Sequence, residues 1–221
     1  AYCSFVNGGK LVNPKLIDRI QDSEGNTIFK TEDRYCENCK NISFLSDDIP
    51  KIKDNFKQIF SPQTAYQITS ILEGATKRGT ARKLKDLNLD IAGKTGTTNK
   101  NTDTWFIGFT SDLVVGVYVG FDEPKTLGKF ETGSKTAMPI FKEFIKTTAN
   151  TKNARPFKVA ENIKMMVLDS ATGKRANTQT KNSIIESFKI DDNVSEISSS
   201  YFDTGFNTVN ILKFYWWTKK Y

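Results

Sequence analysis

Three short apolar runs follow one another between residues 89 and 121, and they limit the folds open to this chain more than any other feature. They are Leu89 to Thr98, Thr104 to Thr110 and Leu113 to Phe121. In the second, strand alternation puts Trp105, Ile107 and Phe109 on one face and Phe106 and Gly108 on the other. The third is apolar on both faces. Ser111-Asp112 between them suits a tight hairpin, so the two runs are expected to pair antiparallel. Strands apolar on both sides call for a layer packed on each face of the sheet. One such layer is a helix with Pro139 in its first turn and an apolar stripe of Ala137, Ile140, Phe141, Phe144 and Ile145. The fold class expected is α/β, an antiparallel sheet covered by helices.

The first run carries the chemistry, in Ile91-Ala92-Gly93-Lys94-Thr95-Gly96-Thr97-Thr98. A glycine inside a strand often marks a place where a ligand comes close to the main chain. Lys94 adds a positive charge, Thr95 and Thr97 add hydroxyls, and Gly96 leaves room beside them. If the strand is an edge strand, its outer N–H groups are also free to donate. Such a set suits a substrate that has a carboxylate and a carbonyl that becomes an oxyanion. A phosphate-binding loop is excluded in its usual form, because the position five before Gly93 is Asn88 and not glycine.

Around this run the chain reads simply. Residues 1–9 look like a short helix ended by Gly8-Gly9. Leu16 to Ile20 and Thr27 to Phe29 flank the turn-rich 22–26 and predict a hairpin. Residues 31–55 read as a charged surface insertion. Ser61-Pro62 opens a helix with a capping Ser and Pro at its first position. Ala65, Ile68, Leu72 and Ala75 form its inward face, Lys77 and Arg78 suit its last turn, and Gly79 ends it. After Asn150 a polar linker leads to a small appendage built from Ile163 to Leu168, the turn 169–173 and Ser183 to Phe188. The domains expected are therefore 1–150, a small extension 151–190, and a tail 191–221 that ends rich in aromatics and Lys.

Composition removes several classes of function. The chain has no histidine, so Ser-His-Asp and Cys-His catalysis are out. The net charge of +7 is spread over scattered lysines, which reads as a solvated surface with some attraction to anionic membranes or wall polymers. No basic stretch pairs with base-stacking aromatics, so nucleic acid is not an expected partner. The longest apolar run, Leu113 to Phe121, is far too short to span a membrane. The insertion holds Cys36-Glu37-Asn38-Cys39, and Cys3 is the only other cysteine. A zinc site needs four ligands, which one such pair does not supply. A Cys36–Cys39 disulfide is expected in an exported chain, and two loop thiols in one that is not.

The order of the motifs carries a resemblance. Ala1-Tyr2 followed by Phe5-Val6-Asn7-Gly8-Gly9, then Gly79-Thr80-Ala81, the Lys94-Thr95-Gly96-Thr97 run, Asp103 to Gly108, Val117 to Asp122 and Glu131-Thr132-Gly133 stand in sequence. This set resembles the C-terminal part of the transpeptidase domain of class A, bifunctional penicillin-binding proteins, over residues 1–190. The resemblance implies a partial transpeptidase or β-lactamase-like domain, with a five-stranded sheet between helices. It implies an acyl-serine D,D-transpeptidase that cross-links peptidoglycan stem peptides and is blocked by β-lactams, with no cofactor and no metal. In it Lys94 gives positive potential to the substrate carboxylate, Thr95 and Thr97 offer it hydroxyls, and the Thr97 N–H forms half of the oxyanion hole. Gly96 lets the extended substrate lie along the strand. It further implies a periplasmic protein anchored to the bacterial inner membrane by an N-terminal segment absent here.

The departures from the family are as definite. No Ser in the chain has Lys three residues on, and no Ser-x-Asn occurs. Ser170 has Lys174 at four, the wrong spacing, within the appendage. In the family's order both motifs, and the glycosyltransferase domain, come before the position of Ala1. Two readings stay open. One is the C-terminal part of a wall synthase, inactive by itself, whose missing transpeptidase half is supplied elsewhere. The other is a non-catalytic remnant that binds a partner protein or peptidoglycan. A third, Lys94 as its own nucleophile or base, would need a strongly lowered pKa.

Overall fold

The computed structural model describes residues 1–31, 35–37, 51–53, 56–148, 154–178 and 180–192. In chain order these form α1 (Tyr2–Val6), β1 (Arg19–Gln21), β2 (Thr27–Lys30), β3 (Tyr35–Glu37), β4 (Lys51–Lys53) and α2 (Pro62–Lys77). A 3₁₀ segment (Arg82–Leu87) then leads to β5 (Ala92–Thr97), β6 (Thr104–Phe109), β7 (Val114–Val119), α3 (Ala137–Thr148), β8 (Ile163–Asp169) and β9 (Ser183–Lys189). The central sheet runs in the order β5-β6-β7, antiparallel throughout, and the β6–β7 turn closes with the Thr110 N–H donating to Leu113 O at 2.9 Å. Among the described residues it has three strands, not the five that the resemblance implied. The 19–30 hairpin forms as expected. The insertion is not wholly irregular, because β3 and β4 pair antiparallel within it. Cys36 contributes main chain to β3, but its side chain and Cys39 lie outside the described residues, so the expected disulfide does too.

One face of the sheet is closed by α3. Phe106, Phe141, Met138, Ile145, Leu84 and Ile91 are all fully buried there, and Val115, Val117 and Val119 pack against them. The Phe106 and Phe141 rings meet edge to face at 4.8 Å, the geometry that aromatic quadrupoles favour. Gly108 makes this possible, since a Cβ there would come within 2.7 Å of both rings. The α3 stripe is rotated from the expected one. Ala137, Met138, Phe141 and Ile145 face inward, whereas Ile140 and Phe144 are 52% and 44% exposed. Spacing alone could not separate the two, because both sets recur at helical steps.

Helix α2 packs along β5, and on the other face of the sheet aromatic rings close one end only. There the Tyr2 ring of α1 lies 6.2 Å from Phe109, and Phe157 lies 5.7 Å from it on another side. Helix α2 joins α1 through the Thr69 hydroxyl, which donates to Phe5 O at 3.3 Å. At the opposite end the Trp105 and Tyr118 rings meet at a tilt, 4.9 Å apart, while 43% and 48% exposed. The expectation of a layer on each face is thus met in full on the α3 side and in part on this one.

Helix α2 begins as its sequence predicts. Ser61 is extended (φ −63, ψ 147) and its side chain accepts from the Thr64 N–H at 3.2 Å, with Pro62 at the first helical position. Its buried face differs from the apolar one. Ala65, Thr69, Gly74 and Thr76 are buried, while Ile68, Leu72 and Ala75 are half-buried. The threonines are tolerated inside because their hydroxyls reach main-chain carbonyls. Thr69 shares its one proton between Ala65 O at 3.0 Å and the longer contact to Phe5 O, and Thr76 donates to Ile91 O on the approach to β5. The β8–β9 hairpin rests on the outer side of α2 through Arg78–Glu186 at 2.6 Å and Gln67 Nε2 donating to Ser187 O at 3.3 Å. No helix among the described residues is long and apolar enough to cross a membrane.

Candidate active-site edge

Strand β5 is an edge of the central sheet among the described residues, paired on one side with β6 and with no strand on the other. Its register sets Lys94 opposite Ile107, Thr95 opposite Phe106, Gly96 opposite Trp105 and Thr97 opposite Thr104. Side chains alternate along a strand. Lys94 and Gly96 therefore share the half-open face of Trp105 and Tyr118, while Thr95 and Thr97 share the α3 face. What the four have in common is the outer edge. Gly93 is needed for packing, since a Cβ there would come 2.8 Å from Phe106 Cζ and 2.9 Å from Ile107 O.

The half-buried Lys94 ammonium donates to the Thr95 carbonyl at 2.9 Å. Among the described residues no carboxylate pairs with it, and burial pulls its pKa below the ordinary 10.5. Removing water around a charge disfavours the charged form, so a ligand anion placed beside Lys94 would be doubly welcome. The Thr95 and Thr80 hydroxyls lie 3.3 Å apart, which gives the Gly79-Thr80-Ala81 turn a contact with the edge.

The segment 131–136 crosses close over β5. A Cβ on Gly133 would lie 2.4 Å from Trp105 O and 2.7 Å from Gly96 O, so only glycine fits this crossing without a shift. The Gly133 N–H donates to the Thr97 hydroxyl at 3.1 Å. The segment itself is anchored on both sides: Asn101 Nδ2 donates to Glu131 O at 2.5 Å, and the Thr104 and Thr136 hydroxyls meet at 2.6 Å. The Met138 N–H donates to Gly133 O at 2.8 Å and carries the strap into α3.

Between β5 and β6 the chain turns through Lys100 and Asn101, both with left-handed φ of 64° and 55°. Asp103 organises this turn. Its N–H donates to the Thr98 hydroxyl at 2.8 Å, and its carboxylate accepts from Tyr118 OH at 2.7 Å and from Thr102 Oγ1 at 2.9 Å. These bonds, that from Tyr118 foremost, hold the carboxyl below its usual range and raise the Tyr118 hydroxyl in return. Thr80, Asp103, Tyr118 and Gly133 were not singled out for roles by sequence reasoning. All four stand inside the flanking motifs, but only the folded chain reveals their partners.

No serine hydroxyl with a Lys partner stands beside the edge among the described residues. Ser170 lies in the β8–β9 connection, with its N–H donating to Asn182 O. No group of three or more metal-ligating side chains occurs among the described residues. A cleft of about 950 Å³ opens between α2, the 3₁₀ segment and β9, lined by Tyr66, Glu73, Lys77, Asp90, Arg155 and Ile185 among others. It includes none of residues 94–97, so this cleft and the β5 edge are separate features.

The profile of the family described as "Penicillin binding protein transpeptidase domain" matches residues 1–146. The chain is similar to penicillin-binding protein 1A of Rickettsia conorii, with 43% identity over 194 residues that cover 86% of this chain and 24% of that one. Penicillin-binding protein 1A of Pseudomonas aeruginosa is 31% identical, over 87% of this chain and 27% of the relative. The chain thus spans about a quarter of the length of the relatives it matches. In structure it is similar to the crystal structure of penicillin-binding protein 1A from Haemophilus influenzae, with a TM-score of 0.69 and 30% identity over 86% of this chain and 31% of that one. With a profile matched over residues 1–146, similar relatives and a shared fold, this chain belongs to the penicillin-binding protein transpeptidase domain family.

Proposed function

We propose that residues 1–146 supply the edge-strand part of a peptidoglycan D,D-transpeptidase site. In this reading β5 receives the carboxylate end of a D-Ala-D-Ala stem peptide, or of a β-lactam, and the serine nucleophile comes from residues outside these 221. The observation that carries the reading is Lys94: a half-buried ammonium with no carboxylate partner among the described residues, beside an unpaired strand edge.

The serine oxygen attacks the penultimate D-Ala carbonyl and passes its proton to a neighbouring base. The tetrahedral oxyanion is held by the Thr97 N–H and the serine's own N–H. The C–N bond then breaks, the terminal D-Ala leaves with a proton, and an ester joins the stem peptide to the serine. An amine of a second stem peptide takes the acyl group and restores the serine. A β-lactam follows the first half and stops at the ester. Lys94 favours the carboxylate electrostatically, the Thr95 and Thr97 hydroxyls donate to it, and Gly96 leaves the edge clear. Loss of one oxyanion donor typically costs about 3–4 kcal/mol of transition-state stabilisation. The same reading places the protein in the periplasm, treats 151–190 as a separate small extension and 191–221 as a tail, and needs no cofactor.

The test is labelling with fluorescent penicillin. The 221-residue chain should form no covalent adduct. The full-length gene product should be labelled on the Ser of a Ser-x-x-Lys motif outside these residues. The alternative, a remnant that only binds peptidoglycan or a partner, requires the full-length product to stay unlabelled as well. A stable adduct on any Ser of the 221-residue chain would contradict the assignment of the nucleophile.

A further inference from the structure

A hydroxyl has one proton to give and two lone pairs with which to accept. At Thr97 one lone pair is already taken, by the Gly133 N–H at 3.1 Å. Among the described residues no protein group accepts the proton of that hydroxyl. Thr97 stands at the last position of β5, on the edge that has no neighbouring strand among the described residues. The strap that brings Gly133 there is fixed independently, by Asn101 to Glu131 O and by Thr104 to Thr136. Its closeness is itself unusual, because no side-chain carbon fits at Gly133 between Trp105 O and Gly96 O.

We propose that Gly133 is a positioning residue: its main-chain N–H holds the Thr97 hydroxyl as an acceptor, so that the hydroxyl's proton is presented to the carboxylate of the ligand. The inference rests on the reading of β5 as the carboxylate-binding edge and deepens it. Without the strap, the Thr97 hydroxyl would turn freely and spend part of its time with a lone pair toward the anion, which is repulsive. With it, the side chain is arranged before the ligand arrives and needs no reorganisation. The strap also gives Gly133 a reason to be glycine that is separate from the packing of α3.

The probe is the pair penicillin G and its methyl ester, which differ only in the carboxylate, used as acylating agents of the full-length gene product. Wild type should be acylated faster by the acid. Thr97→Val, of the same shape without the hydroxyl, should cut that preference by about 10-fold, the loss of one charge-assisted hydrogen bond. Thr97→Ser should restore most of it. Gly133→Ala should lower the preference as Thr97→Val does, and the double variant should lose no more than either single one. A purely structural role would slow both probes equally. Should Gly133→Ala fail to fold, a Thr97→Val preference equal to wild type overturns the proposal by itself. So does a Gly133→Ala protein that folds and keeps the wild-type preference, or a double variant whose losses add. Absence of acylation of wild type by either probe would instead overturn the underlying reading of the edge, a result distinct from any of these.

Discussion

At the scale of single residues, Lys94 works against the fold that holds it. Its ammonium is half-buried, bonded to one carbonyl and drawn below its ordinary pKa of 10.5 by desolvation. A charge drawn out of water without an opposite partner costs stability. Lys94→Met should therefore stabilise the chain by about 1 kcal/mol, seen as a rise in Tm of about 2–4 °C. The sign with pH follows from the lowered pKa. Between the folded value and 10.5 the unfolded chain binds more protons, so the wild type gains stability as pH rises through that window. The gap between Lys94→Met and wild type should close there, and a gap constant across pH 8–11 in urea denaturation would show that Lys94 is not desolvated. Asp103 behaves oppositely. Its carboxyl is lowered from 3.8 by bonds from Tyr118, Thr102 and Thr98, so its contribution is present above that value and is lost as pH falls through the lower folded pKa. Asp103→Asn should flatten this acid limb of the stability profile. An unchanged acid limb would mean that the turn is held by main-chain bonds alone.

At the scale of elements, the sequence was most legible where one local rule decides the outcome. Ser61-Pro62 announced the start of α2, Ser111-Asp112 the β6–β7 turn, and Gly8-Gly9 the end of α1, and each depends only on neighbours in the chain. What spacing could not give was which of two overlapping helical faces turns inward. In α2 the choice fell on Thr69 and Thr76, because each hydroxyl reaches a carbonyl outside its own helix, and in α3 it fell on Met138 over Ile140. Those partners lie far away in sequence, so no window along the chain contains the reason. The consequences are testable. Phe141→Ala, which empties the space against Phe106, should cost about 3–5 kcal/mol, whereas Phe144→Ala on the exposed side should change stability by less than about 0.5 kcal/mol. Equal losses in chemical denaturation would show that the α3 face has been placed wrongly. Between α2 and β9, Glu186 is raised mainly by burial and lowered again by Arg78. Arg78→Ala should leave this carboxylate buried without its partner, so the variant should regain stability as pH falls toward 4.5, the reverse of Asp103.

At the scale of the whole molecule, the Lys94-Thr95-Gly96-Thr97 run was visible at once, but the structure adds a division that sequence order hides. The lysine and the threonines lie on opposite faces of β5 and meet only at its edge, and the edge is set from above by Gly133 and from the turn by Asp103. The half-open face with Trp105 and Tyr118 is the second feature of this scale. Exposed aromatic surface of this kind promotes association, so the isolated chain should bind a hydrophobic dye and self-associate as its concentration rises. Dye binding absent from a chain that stays monomeric would show that this face is covered. The central claim is that Lys94 and its edge provide the carboxylate recognition of a transpeptidase site. The measurement that tests it most directly is the second-order rate constant for acylation of the full-length gene product by fluorescent penicillin, wild type against Lys94→Ala. The account predicts a rate lower by about 10²-fold or more for the variant, with the fold intact. An unchanged rate would contradict it.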